Sequence, residues 1–322
     1  MKPLEPLDLP AIESARQRLG SDVLRTPLVR LQADGGPAEI YLKLENLQPI
    51  GSFKLRGALN AMRSAPPEAL RDGVYTASAG NMAQGVVWAA RQLGIVCRVI
   101  VPERAPRAKT DAIERLGGEV LRVSFDEWWR IMLEHGRDGM TGLFIHPFAD
   151  EAVMAGNATI GLEILEDLPE VDAVIAPFGG GGLSGGIASC LRLRQPATKV
   201  YASEVETAAP LAASLAAKRP LVIEHAPSFV DGIGGKSAFP VMWPLVCDLL
   251  AGSIPVSLRQ IADAIRLLIE RHHIVAEGAG ASSVAAALTG RAGGGRIVCI
   301  VSGGNIDSAR IAAILDGRVP AP

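Results

Sequence analysis

Ala173-Val174-Ile175-Ala176-Pro177-Phe178, then Gly179-Gly180-Gly181-Gly182, then Leu183 through Arg194: this stretch sets the fold class. An unbroken apolar run of strand length means a sheet covered on both faces. The residues from Leu183 onward carry helical periodicity. A glycine turn between strand and helix leaves backbone N–H groups free to converge on an anion, and the helix dipole adds to the attraction. Within it, Gly180-Gly181-Gly182-Leu183-Ser184-Gly185 satisfies G-x-G-x-x-G, and Glu204 ends the next strand 19 residues later. That is the dinucleotide fingerprint with its acidic residue. The segment alone therefore leaves three readings open: a dinucleotide site, another phosphate site, or a structural turn.

The same alternation extends outward. Strands are predicted at Val74–Ala77, Arg98–Val101, Val120–Val123, Leu143–His146, Lys199–Glu204 and Arg296–Val301. Helices are predicted at Met82–Leu93, Ala108–Leu116, Asp126–His135, Glu151–Leu168, Leu258–His272 and Ala279–Leu288. The class is α/β with open parallel sheets, and 322 residues suit about two domains. Lys plus Arg number 32 and Asp plus Glu 34, so the basic excess of a general nucleic-acid binder is missing. Cys97, Cys190, Cys247 and Cys299 are scattered among aliphatic residues, which predicts buried thiols in a reducing cytoplasm rather than a zinc site or disulfides. No run reaches the ~18 apolar residues of a membrane span, and Met1–Pro10 does not read as a signal peptide. These features predict a cytoplasmic protein with neither nucleic acid nor membrane as partner.

Ligands of open α/β sheets bind beyond the carboxyl ends of the strands, so unusual loops there carry the functional information. Besides the glycine turn there are Ser78-Ala79-Gly80-Asn81, Ser302-Gly303-Gly304-Asn305, and Pro49-Ile50-Gly51-Ser52-Phe53-Lys54-Leu55-Arg56-Gly57-Ala58. Lys54 follows Phe53 at a turn into a helix. A desolvated lysine has a depressed pKa and serves as nucleophile or base. A reactive lysine paired with a phosphate cradle is what pyridoxal phosphate requires, a Schiff base at one end and an anion site at the other.

The four loops in this order resemble the threonine dehydratase and serine racemase family of fold-type II pyridoxal-phosphate enzymes, over nearly the whole chain. The resemblance implies two open parallel-sheet domains of the tryptophan synthase β-like kind. Residues 1–49 and 150–322 would form the large cofactor-binding domain, and 50–149 the small substrate-side domain. It implies Lys54 as the Schiff-base lysine and α-carbon base, with Phe53 packed near the cofactor ring. Asn81 would bond the cofactor's 3′-oxygen, Gly179, Gly180, Gly181 and Gly182 would hold its phosphate, and Ser302 would face the pyridine nitrogen. Ser78, Ala79, Gly80, Asn81 and Met82 would form the substrate loop. The expected activity is an ammonia-lyase converting L-threonine, L-serine or another β-hydroxy amino acid, such as 3-hydroxyaspartate or phenylserine, to a 2-oxo acid and ammonia. A homodimer is the assembly the family implies.

The chain departs from the family pattern at informative places. Met82 stands where His is usual, which leaves the substrate side chain open. Ala79 stands where serine racemases carry a second acid/base, which argues against racemisation as the alternative activity. Glu204 is kept from the family's cation site, but Pro210 replaces its partner carboxylate, so no metal is expected and Glu204 is at most a poor ligand. His146 is read as a strand end, and Trp128 and Trp129 as core or interface packing. The chain's end at Pro322 predicts no regulatory domain. An NAD-dependent oxidoreductase, the rival from a different class, would leave Lys54, Ser78–Asn81 and Ser302–Asn305 unexplained.

Overall fold

The computed structural model describes residues 2–32 and 38–322, whose strands fall into two sheets. In chain order the strands are β1 (Leu28–Arg30), β2 (Ala38–Lys43), β3 (Val74–Ala77), β4 (Cys97–Pro102), β5 (Glu119–Val123), β6 (Leu143–Phe144), β7 (Ala173–Pro177), β8 (Lys199–Val205), β9 (Gly252–Val256) and β10 (Gly295–Ile300). The helices are α1 (Leu9–Leu19), α2 (Lys54–Ser64), α3 (Asn81–Leu93), α4 (Arg107–Arg115), α5 (Phe125–Glu134), α6 (Glu151–Asp167), α7 (Gly182–Arg194), α8 (Pro210–Ala217), α9 (Trp243–Leu249), α10 (Leu258–His272), α11 (Gly278–Leu288) and α12 (Ser308–Leu315). The six-stranded sheet has the order β1-β2-β10-β7-β8-β9, and the four-stranded sheet β5-β4-β3-β6. Every pairing is parallel except β1 with β2.

The apolar runs are continuous because the large sheet lies between two cores. Along β10 and just beyond it, Ile297, Cys299 and Val301 face a core shared with α10 and α11. Val298 and Ile300 face another, built with α6 and α7 residues such as Ile160 and Ile187. A period-two strand that buries both faces has no polar positions to spare. Cys97, Cys190 and Cys299 are buried as expected, but Cys247 on α9 is exposed. A seven-residue helix buries one side only, and Leu245 and Val246 occupy it.

Two residues beyond Lys54, Arg56 is 1% exposed and sits in a ring of charges. Its guanidinium takes both oxygens of Glu45 at 2.8 Å and those of Glu163 at 2.6 and 2.9 Å. Lys43 Nζ completes the set, donating to Glu163 and to the Thr26 carbonyl, each at 2.6 Å. Two cations and two carboxylates balance, with remaining valences met by Thr26, Thr159 and the Leu24 carbonyl. On a helix, positions two apart point about 200° from each other, so Arg56 anchors the back of α2 while Lys54 faces forward. Gly57 and Gly156 let α2 and α6 touch. A Cβ on Gly156 would stand 2.3 Å from the Arg56 carbonyl oxygen.

Removing one member of a buried, hydrogen-bonded ion cluster strands the others. Arg56→Met is expected to lower unfolding stability by about 3–5 kcal/mol in urea titrations; a loss below about 1 kcal/mol would show that the cluster relaxes or admits water.

Candidate active site

Three of the loops singled out in the sequence follow the carboxyl ends of β3, β7 and β10, and the fourth, 51–54, is laced to the last. Phe53 N–H donates to the Ser302 carbonyl at 3.0 Å, Gly304 N–H to Gly51 at 2.9 Å, and Asn305 Nδ2 to Ile50 at 3.0 Å. Phe53, Lys54, Ser78 to Met82, Gly179 to Gly182 and Ser302 all line one cavity of about 410 Å³.

Two lysines lie inside the protein, and their partners separate their roles. Lys43 is held by a carboxylate. Lys54 Nζ has only a neutral hydrogen-bond partner, the Pro147 carbonyl at 2.7 Å, and lies 5.2 Å from the centre of the Phe53 ring. Burial pushes its pKa down to about 8, with the charge of Glu277 pulling the other way. Lys54 is thus the one of the two poised to lose its proton and act as a nucleophile.

Asn81 begins α3, and its amide is oriented by two partners. Its Oδ1 accepts from Asn305 Nδ2 at 2.9 Å, and its Nδ2 donates to Glu277 at 2.7 Å. One amide hydrogen is left for a ligand in the cavity. Ser78 Oγ accepts from Gly80 N–H at 3.3 Å, which shapes the turn. A Cβ at Gly80 would meet nothing within 4 Å, so that glycine is open to the cavity rather than squeezed by neighbours. Met82 touches the cavity, but its side chain is buried in the core against α2 and α3.

Glu277, at the start of α11, has no role in the sequence reading. Its carboxyl is buried, and desolvation, followed by the nearby charge of Asp231, raises its pKa to about 7. Its signature was available as a lone acid between Ala276 and Gly278 in an otherwise apolar stretch, because a buried charge needs a partner.

The four glycines of the turn do different jobs. Gly181 has φ +92°, a left-handed conformation that glycine adopts without strain. A Cβ on Gly180 would be 2.2 Å from the Phe148 ring, and one on Gly182 would be 2.6 Å from the Phe148 carbonyl oxygen. Gly179 is looser, its nearest neighbour being the Gly232 carbonyl at 3.7 Å. Half of the tetraglycine signature is therefore a packing demand made by Phe148. The turn still leads into the N-terminus of α7, where free N–H groups and the dipole attract an anion. Lysine, anion cradle, open Gly80 and spare Asn81 hydrogen all face one cavity, and this donor set fits pyridoxal phosphate.

Other sequence candidates fall elsewhere. Glu204 accepts from the N–H groups of Leu211 and Ala212 at 2.9 and 2.7 Å and from Ser253 Oγ at 2.6 Å. It anchors the start of α8, so both of its oxygens are committed and it offers nothing to a cation or a ribose. His146 is structural as expected: its Nδ1 accepts from Phe148 and Ala149 N–H, and its Nε2 bonds the Met132 carbonyl. Trp128 and Trp129 pack against a hydrophobic core, as expected, and also line the cavity. Their helix α5 presents them across from Phe239.

The sequence matches the family described as pyridoxal-phosphate dependent enzyme over residues 20–303. The chain belongs to this family. It is 40% identical to L-threonine ammonia-lyase of Geobacter sulfurreducens, over 95% of this chain and 77% of that one. It is 38% identical to the catabolic L-threonine dehydratase TdcB of Staphylococcus aureus, over 95% and 91%. The structure of maize serine racemase superposes with a TM-score of 0.87 at 30% identity, covering 97% of this chain and 98% of that one. Family membership removes the dinucleotide reading of Gly180–Gly185 and makes pyridoxal phosphate the cofactor. No described helix is long and apolar enough to cross a membrane.

The raised pKa of Glu277 has a stability consequence with a definite sign. A carboxyl at about 7 when folded, against 4.5 in its ordinary state, binds more protons in the native protein, so stability falls as pH rises between those values. Glu277→Gln should remove that slope. Relative to wild type, the variant is expected to gain up to roughly 3 kcal/mol on going from pH 4.5 to pH 8, read from urea midpoints at the two pH values. Parallel pH profiles would mean that Glu277 is ionised at little cost.

Proposed function

We propose that the protein is a pyridoxal-phosphate-dependent ammonia-lyase that converts L-threonine, L-serine or a related β-hydroxy amino acid to a 2-oxo acid and ammonia by α,β-elimination. The observation that carries this reading is Lys54, a half-buried lysine hydrogen-bonded to a carbonyl, facing one cavity with the glycine turn of α7. The threonine ammonia-lyase and dehydratase relatives support it.

Pyridoxal phosphate, when bound, supplies the electron sink for breaking the Cα–H bond. In this reading Lys54 Nζ would hold the cofactor and would serve as the base that accepts the substrate's α-proton. N–H groups of Gly179 to Gly182 would hold the phosphate, and the spare Asn81 hydrogen would meet the 3′-oxygen. Phe53 would pack beside the ring, and the Ser302 hydroxyl would face the pyridine nitrogen. A neutral hydroxyl there would not promote ring protonation, so it would favour prompt loss of a β-substituent. Ser78, Ala79 and Gly80 form the loop that receives the substrate carboxylate. Loss of the β-hydroxyl as water gives an enamine, which hydrolyses unaided to the 2-oxo acid and ammonia. The protein's share is orientation and electrostatics.

The reading divides the chain into a large domain of residues 1–49 and 150–322 and a small one of 50–149. In support, the four strands of the smaller sheet lie between Val74 and Phe144. Its free cysteines fit a reducing, cytoplasmic setting, and the family resemblance supports a homodimer.

Serine racemase is the competing reading, favoured by the maize superposition. Racemisation needs an acid on the face of the α-carbon opposite Lys54, and position 79 offers a methyl group. The two readings separate in one assay with L-serine and L-threonine. Oxo-acid release is expected to exceed D-serine formation by about a hundredfold, the worth of one positioned acid or base. Lys54→Ala should lower release at least about 10³-fold and abolish the cofactor's lysine-bound visible band; retained activity would remove Lys54 from the mechanism.

A further inference from the structure

One wall of the cavity is aromatic. Trp129 meets Phe239 edge-on at 5.4 Å, and Phe239 meets Phe148 edge-on at 4.8 Å. Trp128 stands 6.3 Å from Trp129. All four rings line the cavity that Lys54 faces. They form a connected series, so the wall is a continuous aromatic surface rather than scattered contacts.

The wall is also held in place. His146 fixes the turn that follows it by accepting the N–H groups of Phe148 and Ala149, at 3.2 and 2.8 Å. Its ring meets Phe148 edge-on at 4.6 Å. The side chain of Phe148 is pressed against Gly180. Phe148 follows Pro147, whose carbonyl receives Lys54 Nζ, so the aromatic surface starts one residue from the lysine's hydrogen-bond partner.

Among the described residues, the charged side chains besides Lys54 that line the cavity are Lys109, Asp231 and Glu277, and each has a partner. Lys109 pairs with Asp231 at 2.9 Å, and Asp231 also receives Arg310 at 3.3 Å. Glu277 is tied to Asn81. A second substrate carboxylate would lose its water here without gaining a dedicated cation. A methyl group would leave the wall largely unfilled.

Resting on the ammonia-lyase reading above, we propose that the site prefers a β-hydroxy amino acid with an aryl β-substituent, of the 3-phenylserine class, seated against Trp128, Trp129, Phe148 and Phe239. The reaction balances as before. The Cα–H and Cβ–O bonds break and water leaves. Hydrolysis returns that water and yields an arylpyruvate and ammonia.

The test uses the holoenzyme and compares threo-3-phenylserine, L-threonine and threo-3-hydroxyaspartate by oxo-acid release. Phenylserine is expected to exceed threonine in kcat/KM by about tenfold or more, since each extra methylene-sized contact in an apolar pocket is worth about 10–200-fold. Hydroxyaspartate should be the poorest. Trp129→Ala is expected to lower the phenylserine-to-threonine ratio about tenfold, a readout that a reduced folded fraction cannot move. An independent readout is binding of L-phenylalanine and L-aspartate, which have no β-hydroxyl to lose, followed by the shift of the cofactor's visible band. Phenylalanine should bind at least about tenfold more tightly. Threonine turnover with little or no phenylserine turnover, a preference for hydroxyaspartate, or a ratio unchanged in Trp129→Ala would overturn this inference and leave the ammonia-lyase reading standing. No oxo acid from any of the three, with the cofactor band intact, would overturn both.

Discussion

Backbone hydrogen bonds between residues 50–53 and 302–305 determine where α2 begins, and with it the position of Lys54. Phe53 N–H reaches the Ser302 carbonyl, Gly304 N–H reaches Gly51, and Asn305 bridges Ile50 to Asn81. Two loops more than 250 residues apart in the chain thereby share one edge of the cavity. Arg56 completes the constraint from behind, locking the first turn of α2 to Glu45 and Glu163. A lysine held this way faces a cavity it cannot leave cheaply, and its depressed pKa follows from that placement.

The fold was legible where the physics is local. Runs such as Arg296–Val301 and Ala173–Phe178 declare a strand covered on both faces, and each lies in the large sheet. The elements absent from the sequence reading have identifiable reasons. In β2, Glu39 and Lys43 interrupt the apolar pattern, and only the distant Glu163 makes a buried Lys43 tolerable. In β9, Gly252 and Pro255 read as loop, but β9 ends the sheet order, the place where a proline's missing N–H is accepted.

The site shows the same division. Lys54, Asn81, Ser302 and the glycine turn were found because their loops carry recognisable chemistry, and all of them line one cavity. The reasons for individual glycines were not legible, since Gly180 and Gly182 answer to Phe148, more than thirty residues earlier. Glu277 and Arg56 were missed because a buried charge gains meaning only once its partners are known. Trp128 and Trp129 read as packing residues and do pack on a core, but that they also line the cavity depends on how α5 is placed, which the sequence does not show. Glu204 went the other way: its place at a strand end suggests a ligand, and its two oxygens serve the start of α8 and Ser253.

The central claim is that Lys54, and not the ion-paired Lys43 or the Asp231-bound Lys109, carries the cofactor. Borohydride reduction of the pyridoxal-phosphate-loaded protein, followed by peptide mass spectrometry, tests it most directly. The account predicts a pyridoxyl group on the peptide containing Lys54 and on no other lysine. A label on Lys43 or Lys109, or no label in protein that holds the cofactor, would contradict it.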